Sequence, residues 1–195
     1  MKAKVVVCLL GFASLFAAEV RGQEYSKFDL FAGYSYVRAN PGVSPTLPSF
    51  NMNGGEASLA YNSNSWLSGV VDFAGYSTSR LLDTEPASFK SDMFTYLFGP
   101  RLSYRRLGRF TPFAQTLFGI AHTGPFPGAY VDGKQTYFAM TLGGGLDYNL
   151  SRRFSVRVLQ ADYLLTHFKE FDSLGPTLKG TQNNVRLSTG LAFHF

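Results

Sequence analysis

The chain is predicted to fold as an all-β, eight-stranded antiparallel up-and-down transmembrane β-barrel. Three observations carry that prediction. Apolar and polar residues alternate with a period of two in one segment after another, as strands require, because successive side chains leave opposite faces of the pleat. The connections between these segments alternate between long and short. Aromatics make up 16% of the 195 residues and glycines number 20, yet mean hydropathy is only −0.02. A membrane barrel permits that combination because every second residue faces its lumen rather than lipid, although a soluble β-sandwich fits it too.

The first strand runs from about Lys27 to Arg38, with Phe28, Leu30, Ala32, Tyr34 and Tyr36 on one face. The other face carries Asp29, Gly33 and Ser35, with Phe31 and Val37 breaking the pattern. The second, near Gly55 to Asn62, opposes Ala57, Leu59 and Tyr61 to Glu56, Ser58, Ala60 and Asn62. The third, Trp66 to Tyr76, sets Leu67, Val71 and Phe73 against Ser68, Asp72 and Ala74. The fourth, about Met93 to Tyr104, places Phe94, Tyr96, Phe98 and Leu102 opposite Thr95, Gly99, Arg101 and Ser103. The fifth, Phe110 to Ala121, alternates poorly and its faces stay open. The sixth, Tyr137 to Leu150, sets Met140, Leu142, Leu146 and Tyr148 against Thr141, Gly143, Gly145, Asp147 and Asn149. The seventh runs from Phe154 to about Thr166. In the eighth, Gln182 to Phe195, alternate residues Val185, Leu187, Leu191, Phe193 and Phe195 oppose Arg186, Ser188, Gly190 and His194.

Long connections follow the odd strands: Ala39 to Asn53, Ser77 to Asp92, His122 to Gln135 and Phe168 to Thr181. Tight ones follow the even strands: Ser63 to Ser65, Arg105 to Arg109 and Ser151 to Arg153. Short turns at one end and long loops at the other describe a transmembrane barrel with an even strand number, so both termini are expected at the short-turn, periplasmic end. A soluble Greek-key sandwich has no reason to sort its loops this way. The aromatics of the apolar faces, among them Tyr34, Tyr36, Tyr61, Tyr104, Tyr148 and Phe193, gather toward strand ends, where interfacial girdles sit.

The N-terminus predicts export. Met1 to Lys4 is basic, Val5 to Ala18 is apolar but too short to span a bilayer as a helix, and Val20-Arg21-Gly22 suits signal peptidase. Residues 1–22 are therefore expected to be removed, leaving 23–195 as one barrel domain. Cys8, the single cysteine, falls in the removed segment, so neither disulfide nor Cys-based metal site is expected. Taking away Lys2, Lys4, Arg21 and Glu19 leaves fifteen basic and twelve acidic residues. That balance is too mild and dispersed for nucleic-acid binding.

By parity, Asp29, Glu56, Asp72, Arg101, Asp147 and Arg186 point into the lumen. Arg157 joins them if the seventh strand is read from Val156 and Val158. Gln160 and Asp162 then turn inward only if a bulge intervenes, expected near Leu159 to Asp162. Buried charges of both signs need partners, and an eight-stranded barrel is just wide enough to be filled by its own side chains. A charged polar core with a structural role is the expectation, without catalytic, cofactor or metal residues.

Phe28-Asp-Leu-Phe-Ala-Gly-Tyr-Ser-Tyr, Gly99-Pro-Arg, Gln160-Ala-Asp-Tyr and the terminal Phe195 resemble the eight-stranded outer-membrane barrels typified by the OmpA membrane domain and OmpX. The resemblance covers the mature chain and implies a bacterial outer-membrane location among outer-membrane lipids and lipopolysaccharide. Leu191, Phe193 and Phe195 match the family's C-terminal assembly signal, which implies the barrel assembly machinery as a partner. Small barrels of this architecture include lipid A-modifying enzymes that use a His with Ser and a carboxylate. The candidates here fit poorly: His122 is followed by Thr123 and Gly124, and His167 by Phe168 and Lys169. The preferred role is structural or surface interaction, with an extracellular ligand contacted through loops such as Pro41 to Phe50 and Gly124 to Tyr130. A narrow small-solute channel, an outer-leaflet lipid A enzyme and a lipocalin-like soluble carrier are the alternatives. Arg105, Arg106, Arg109, Arg152 and Arg153 make the short turns basic, either as solvated charges or as contacts to anionic headgroups.

Overall fold

The computed structural model describes residues 25–40, 49–81, 88–124, 135–168 and 180–195. The expected signal peptide, Cys8 and most of the two loops singled out above lie outside these residues. Eight strands follow one another: β1 (Phe28–Ala39), β2 (Phe50–Asn62), β3 (Leu67–Leu81), β4 (Ser88–Ser103), β5 (Phe110–Thr123), β6 (Gln135–Asn149), β7 (Phe154–Phe168) and β8 (Gly180–His194). Each pairs antiparallel with its neighbours, and β1 closes on β8 to complete a barrel. Closure abolishes edges, so every strand satisfies its backbone groups within the barrel, as a bilayer demands.

The seam runs from Asp29↔His194 to Arg38↔Val185. Beyond it, Phe28 and Phe195 exchange both backbone hydrogen bonds at 2.9 Å. Short connections are built by side chains that mimic backbone. Asn64 Oδ1 accepts from the Trp66 and Leu67 amides, and Ser151 Oγ from those of Arg153 and Phe154, as turn-forming Asn and Ser do.

Every strand exceeds its sequence-based bound at the loop end, and β2, β3 and β4 do so most. β2 begins at Phe50, β3 continues to Leu81 and β4 starts at Ser88, so the connection expected from Ser77 to Asp92 shrinks to residues 82–87. The apolar alternation ends where outward positions become polar, at Asn51, Asn53 and Ser77, but ladder pairing does not need apolar side chains and carries on. The predicted contrast in loop length is correspondingly weaker at β3–β4.

β5 resolves cleanly. Thr111, Phe113, Gln115, Leu117, Ala121 and Thr123 are buried, while Phe110, Ala114, Phe118 and Ile120 are exposed. Its alternation is hard to read because the inward set contains Phe113 and Leu117 whereas the outward set contains Pro112, Ala114 and Thr116. In β7 a bulge appears at Val158–Leu159, at the edge of the expected window. Arg157 pairs with Gly190 and Gln160 with Ser188, so two residues oppose Thr189 alone. Thr189 Oγ1 donates to the Arg157 carbonyl at 2.9 Å. Both bulge side chains are about half exposed, at 51% and 50%. The added residue resets parity, so Arg157 and Gln160 both face inward.

The outer surface is apolar around its girth: Leu30, Val71, Phe98, Ile120, Leu142 and Leu191 are all exposed. Such a surface is stable only against hydrocarbon. At the turn end an aromatic ring encircles the barrel. Phe28 lies 5.4 Å from Tyr61, Phe110 5.2 Å from Tyr148 and Phe154 5.0 Å from Phe193. Each pair joins directly opposed residues on adjacent strands, the sheet's natural contact unit.

Candidate functional site

The lumen is the only place where the barrel concentrates chemistry among the described residues, and it divides into three zones. Across its middle, Arg186 on β8 and Arg157 on β7 are almost fully enclosed. Arg186 Nη1 lies 2.8 Å from Asp72 Oδ1 and 3.8 Å from Glu56 Oε2, and its Nη2 2.6 Å from Asp162 Oδ2. One guanidinium thus holds carboxylates from β2, β3 and β7. Glu56 also accepts from Ser188 and Gln160, and Gln160 bridges to Asp162 at 2.6 Å. Ser188 continues through Ser35 to the Tyr76 hydroxyl at 2.8 and 3.1 Å.

Arg157 forks onto Asp147 at 2.8 and 3.2 Å and donates to Gln160 at 2.7 Å, the bidentate geometry that makes Arg–carboxylate pairs strong. Its guanidinium also lies between two rings, 4.0 Å from the Phe31 centroid and 4.5 Å from that of Phe113. Arg101 stacks on Phe113 at 4.6 Å and directs Nε and Nη2 to Gln115 Oε1. Phe31, an apparent exception in the β1 pattern, faces inward as a cation–π platform. The rings need space beside the wall. A Cβ on Gly33 would overlap the Thr189 carbonyl oxygen and fall 2.8 Å from Phe31 Cζ, and one on Gly145 would fall 2.6 Å from the Leu159 carbonyl oxygen and 2.7 Å from Phe113 Cζ. Gly33→Ala is therefore expected to destabilise the barrel by about 1–3 kcal/mol of overpacking strain, read as a lower urea unfolding midpoint. Gly69→Ala, where nothing lies within 4 Å, serves as the neutral control.

The turn end is closed by Asp29. It accepts from Ser26 (2.5 Å), Asn62 (2.8 Å), Arg105 (3.1 Å) and His194 Nδ1 (2.7 Å). His194 Nε2 in turn meets Ser155 Oγ at 2.9 Å. The order Ser–His–Asp matches a hydrolytic triad in connectivity. Ser155 is wholly buried, however, and the Asp29 carboxylate is saturated by four donors, so the chain ties β7, β8 and β1 together instead of presenting a nucleophile. Arg105, expected among the exposed turn arginines, instead reaches in to Asp29 and Asn62. A buried carboxylate is a stronger attractor than solvent for the one turn cation within reach.

Toward the loop end the lumen is filled by apolar side chains together with neutral polar ones such as Thr123, Thr166, Gln182 and Asn184, which qualifies the expectation of charge throughout. Val37, Met52, Met93, Leu97, Leu117 and Leu164 are buried together. At the mouth a cavity of about 10 Å³, lined by Phe50, Met52, Met93 and Tyr137 among others, has room for about one water. Val37 belongs to this plug, so both β1 exceptions have lumenal roles.

Of the residues expected inside, Asp29, Glu56, Asp72, Arg101, Asp147, Arg157 and Arg186 all face the lumen. Asp72, Glu56 and Arg186 share one cluster, Asp147 and Arg157 the adjoining pair, while Arg101 meets a neutral amide and Asp29 anchors a separate network. Sequence reading missed Arg105 and His194 as Asp29 partners, and Phe31 and Phe113 as stacking platforms. Asp162 was tied to the bulge. Leu191, Phe193 and Phe195 lie on the lipid side, with Phe193 stacked 5.7 Å from Phe195 and Phe195 5.7 Å from Phe28. His122 faces outward and meets Thr136 Oγ1 at 2.8 Å, and His167 is exposed across β6 from it. No group of His, Cys, Asp and Glu suited to a metal ion occurs among the described residues.

Comparisons with solved structures find the same architecture. The chain is similar to Neisserial surface protein A (NspA) at 16% identity and a TM-score of 0.62, over 89% of this chain and 100% of that one. It is similar to Ail, the attachment invasion locus protein of Yersinia pestis, at 15% identity and a TM-score of 0.54, over 88% and 99%. The N-terminal β-barrel domain of Pseudomonas aeruginosa OprF gives 13% identity and a TM-score of 0.50, over 88% and 100%. No curated protein matches the sequence. Residues 5–195 match the family described as the outer membrane protein beta-barrel domain. With a closed eight-stranded barrel, a lipid-facing apolar girth and a family match over nearly its whole length, this chain belongs to the outer-membrane protein β-barrel family and is a protein of the bacterial outer membrane.

Proposed function

We propose that this barrel is a non-catalytic, non-conducting outer-membrane protein whose role is structural or exercised at its surface. The observation that carries this reading is the obstructed lumen. The Arg186 cluster crosses the barrel axis from four strands, and the Met52–Met93–Leu117 plug lies above it. A solute would have to displace both a buried ion network and a packed apolar layer. In this reading residues 1–22 direct export and are removed, residues 23–195 form the barrel, and both termini lie in the periplasm. Asp29, Glu56, Asp72, Arg101, Asp147, Arg157 and Arg186 serve the barrel's integrity, and Leu191, Phe193 and Phe195 address it to the assembly machinery. Outer-membrane lipids and lipopolysaccharide surround it, and any extracellular ligand meets the loops.

Purified barrel in a planar bilayer is expected to show no discrete conductance steps. Reproducible unitary steps would replace this reading with the channel. Lipid A mass spectra are expected to be identical for cells carrying the wild type and a His122→Ala/His167→Ala variant; a modification lost with those histidines would restore the enzyme.

A further inference from the structure

We propose that the turn end of the barrel is a binding collar for anionic phospholipids, formed by Arg106 and Arg109 on the β4–β5 turn and Arg152 and Arg153 on the β6–β7 turn. All four are exposed. The two turns are neighbours, since the Asn149 amide donates to the Arg109 carbonyl at 2.8 Å and Phe110 opposes Tyr148. The four guanidiniums therefore occupy one sector of the rim. None of the three short turns, residues 63–66, 104–109 and 150–153, contains a carboxylate side chain. Asp29 and Asp147, the inward carboxylates near this end, are already engaged by Arg105 and Arg157.

The level at which these arginines sit selects the partner. Leu107, Phe110, Leu150 and Phe154 are exposed beside them and require hydrocarbon, so the guanidiniums stand within one side-chain length of the lipid–water boundary. Arg109 Nη1 reaches the Tyr148 hydroxyl at 3.3 Å, which places this exposed guanidinium beside the aromatic ring. Phosphodiesters of net negative headgroups occupy that level, and the planar fork of arginine matches two phosphate oxygens. A basic residue near an anionic bilayer is attracted to its headgroups. Four in one sector are sufficient to enrich such lipids locally. This inference rests on the membrane-spanning barrel, but not on which side of the membrane the turns face or on whether the lumen conducts.

The chain contains a single tryptophan, Trp66, and it lies at this end: its carbonyl accepts from the Ser103 amide, one residue before Tyr104. Its fluorescence therefore reports the lipid composition around the collar. Full-length barrel is reconstituted in phosphatidylcholine vesicles that carry an equal fraction of bromine-labelled phosphatidylglycerol or bromine-labelled phosphatidylcholine. Quenching by the anionic lipid is expected to correspond to an association about two- to fourfold stronger. The preference should shrink at high salt, where the screening length falls to about 3 Å. Arg106→Gln/Arg109→Gln/Arg152→Gln/Arg153→Gln should abolish it, and the corresponding lysine variant should retain most of it. Heat-dependent mobility in SDS gels verifies that each variant is folded. Equal quenching by both lipids in the wild type, a preference insensitive to salt, or one that survives in the folded glutamine variant would each overturn the proposal. Equal quenching combined with arginine-dependent binding to isolated cell-wall sacculi would replace the lipid by an acidic polymer. Because the salt series uses the wild type alone, the test stands even if the glutamine variant does not fold.

Discussion

Arg186→Ala is expected to cost about 3–5 kcal/mol, the usual penalty for removing one partner of a buried ion network. The substitution leaves Glu56, Asp72 and Asp162 facing one another in a site where all three are buried. Ser188 and Gln160 would still donate to them, but neutral donors do not cancel mutual repulsion in a low-dielectric interior. The measurement is urea unfolding of the reconstituted barrel, with heat-dependent gel mobility as a second readout. The combination Arg186→Met with Glu56→Gln, Asp72→Asn and Asp162→Asn should recover most of the loss, since replacing an entire buried cluster costs far less than breaking it. A single Arg186→Ala variant within about 0.5 kcal/mol of wild type, inside the range of ordinary surface substitutions, would show that the cluster holds nothing together.

Deleting Val158 is expected to be comparably damaging by a different route. The bulge at Val158–Leu159 lets Arg157 and Gln160 both face inward. Without the additional residue the strand has strict parity, and one part of β7 must turn inside out. Either Arg157 leaves Asp147 for lipid, or Gln160 and Asp162 do, carrying away the partner of Arg186. A cation on the lipid face near the midplane costs about 2–4 kcal/mol, before the broken pairs are counted. The deletion should yield little or no heat-shifted species. Val158→Ala, which keeps the bulge and alters one lipid-facing side chain, should behave nearly as wild type. A deletion variant that folds normally would mean that register can slip elsewhere to restore parity.

Most of the fold was legible because a half-buried strand writes its burial directly into the sequence. β8 and β6 show this best: their lumenal positions are small or polar and their outward positions are large. β5 was illegible for the same physical reason turned around, because Phe113 and Leu117 are lumenal while Pro112, Ala114 and Thr116 face out. Phe31 and Val37 belong to the same group. In a lumen with a charged layer and an apolar plug, hydrophobicity no longer distinguishes inside from outside. Periodicity also cannot say where pairing stops, so β2, β3 and β4 run past the last alternating residue. The seven lumenal charges followed from parity, but their partners did not. Nothing in the spacing of Asp29 and Arg105 announces that a turn residue folds under the barrel to meet a strand residue, and the pairing of Asp29 with His194 exists only once the ring has closed.

That last contact has a consequence for how the barrel comes together. Asp29 sits on the first strand, and its donors arrive from Ser26, Asn62, Arg105 and finally His194, the penultimate residue of the chain. While the first strand still waits for the last, its carboxylate has an open flank that water can hydrate and hydrocarbon cannot. The network around Asp29 is therefore complete only once β8 pairs with β1, so ring closure and the burial of this carboxylate are one event.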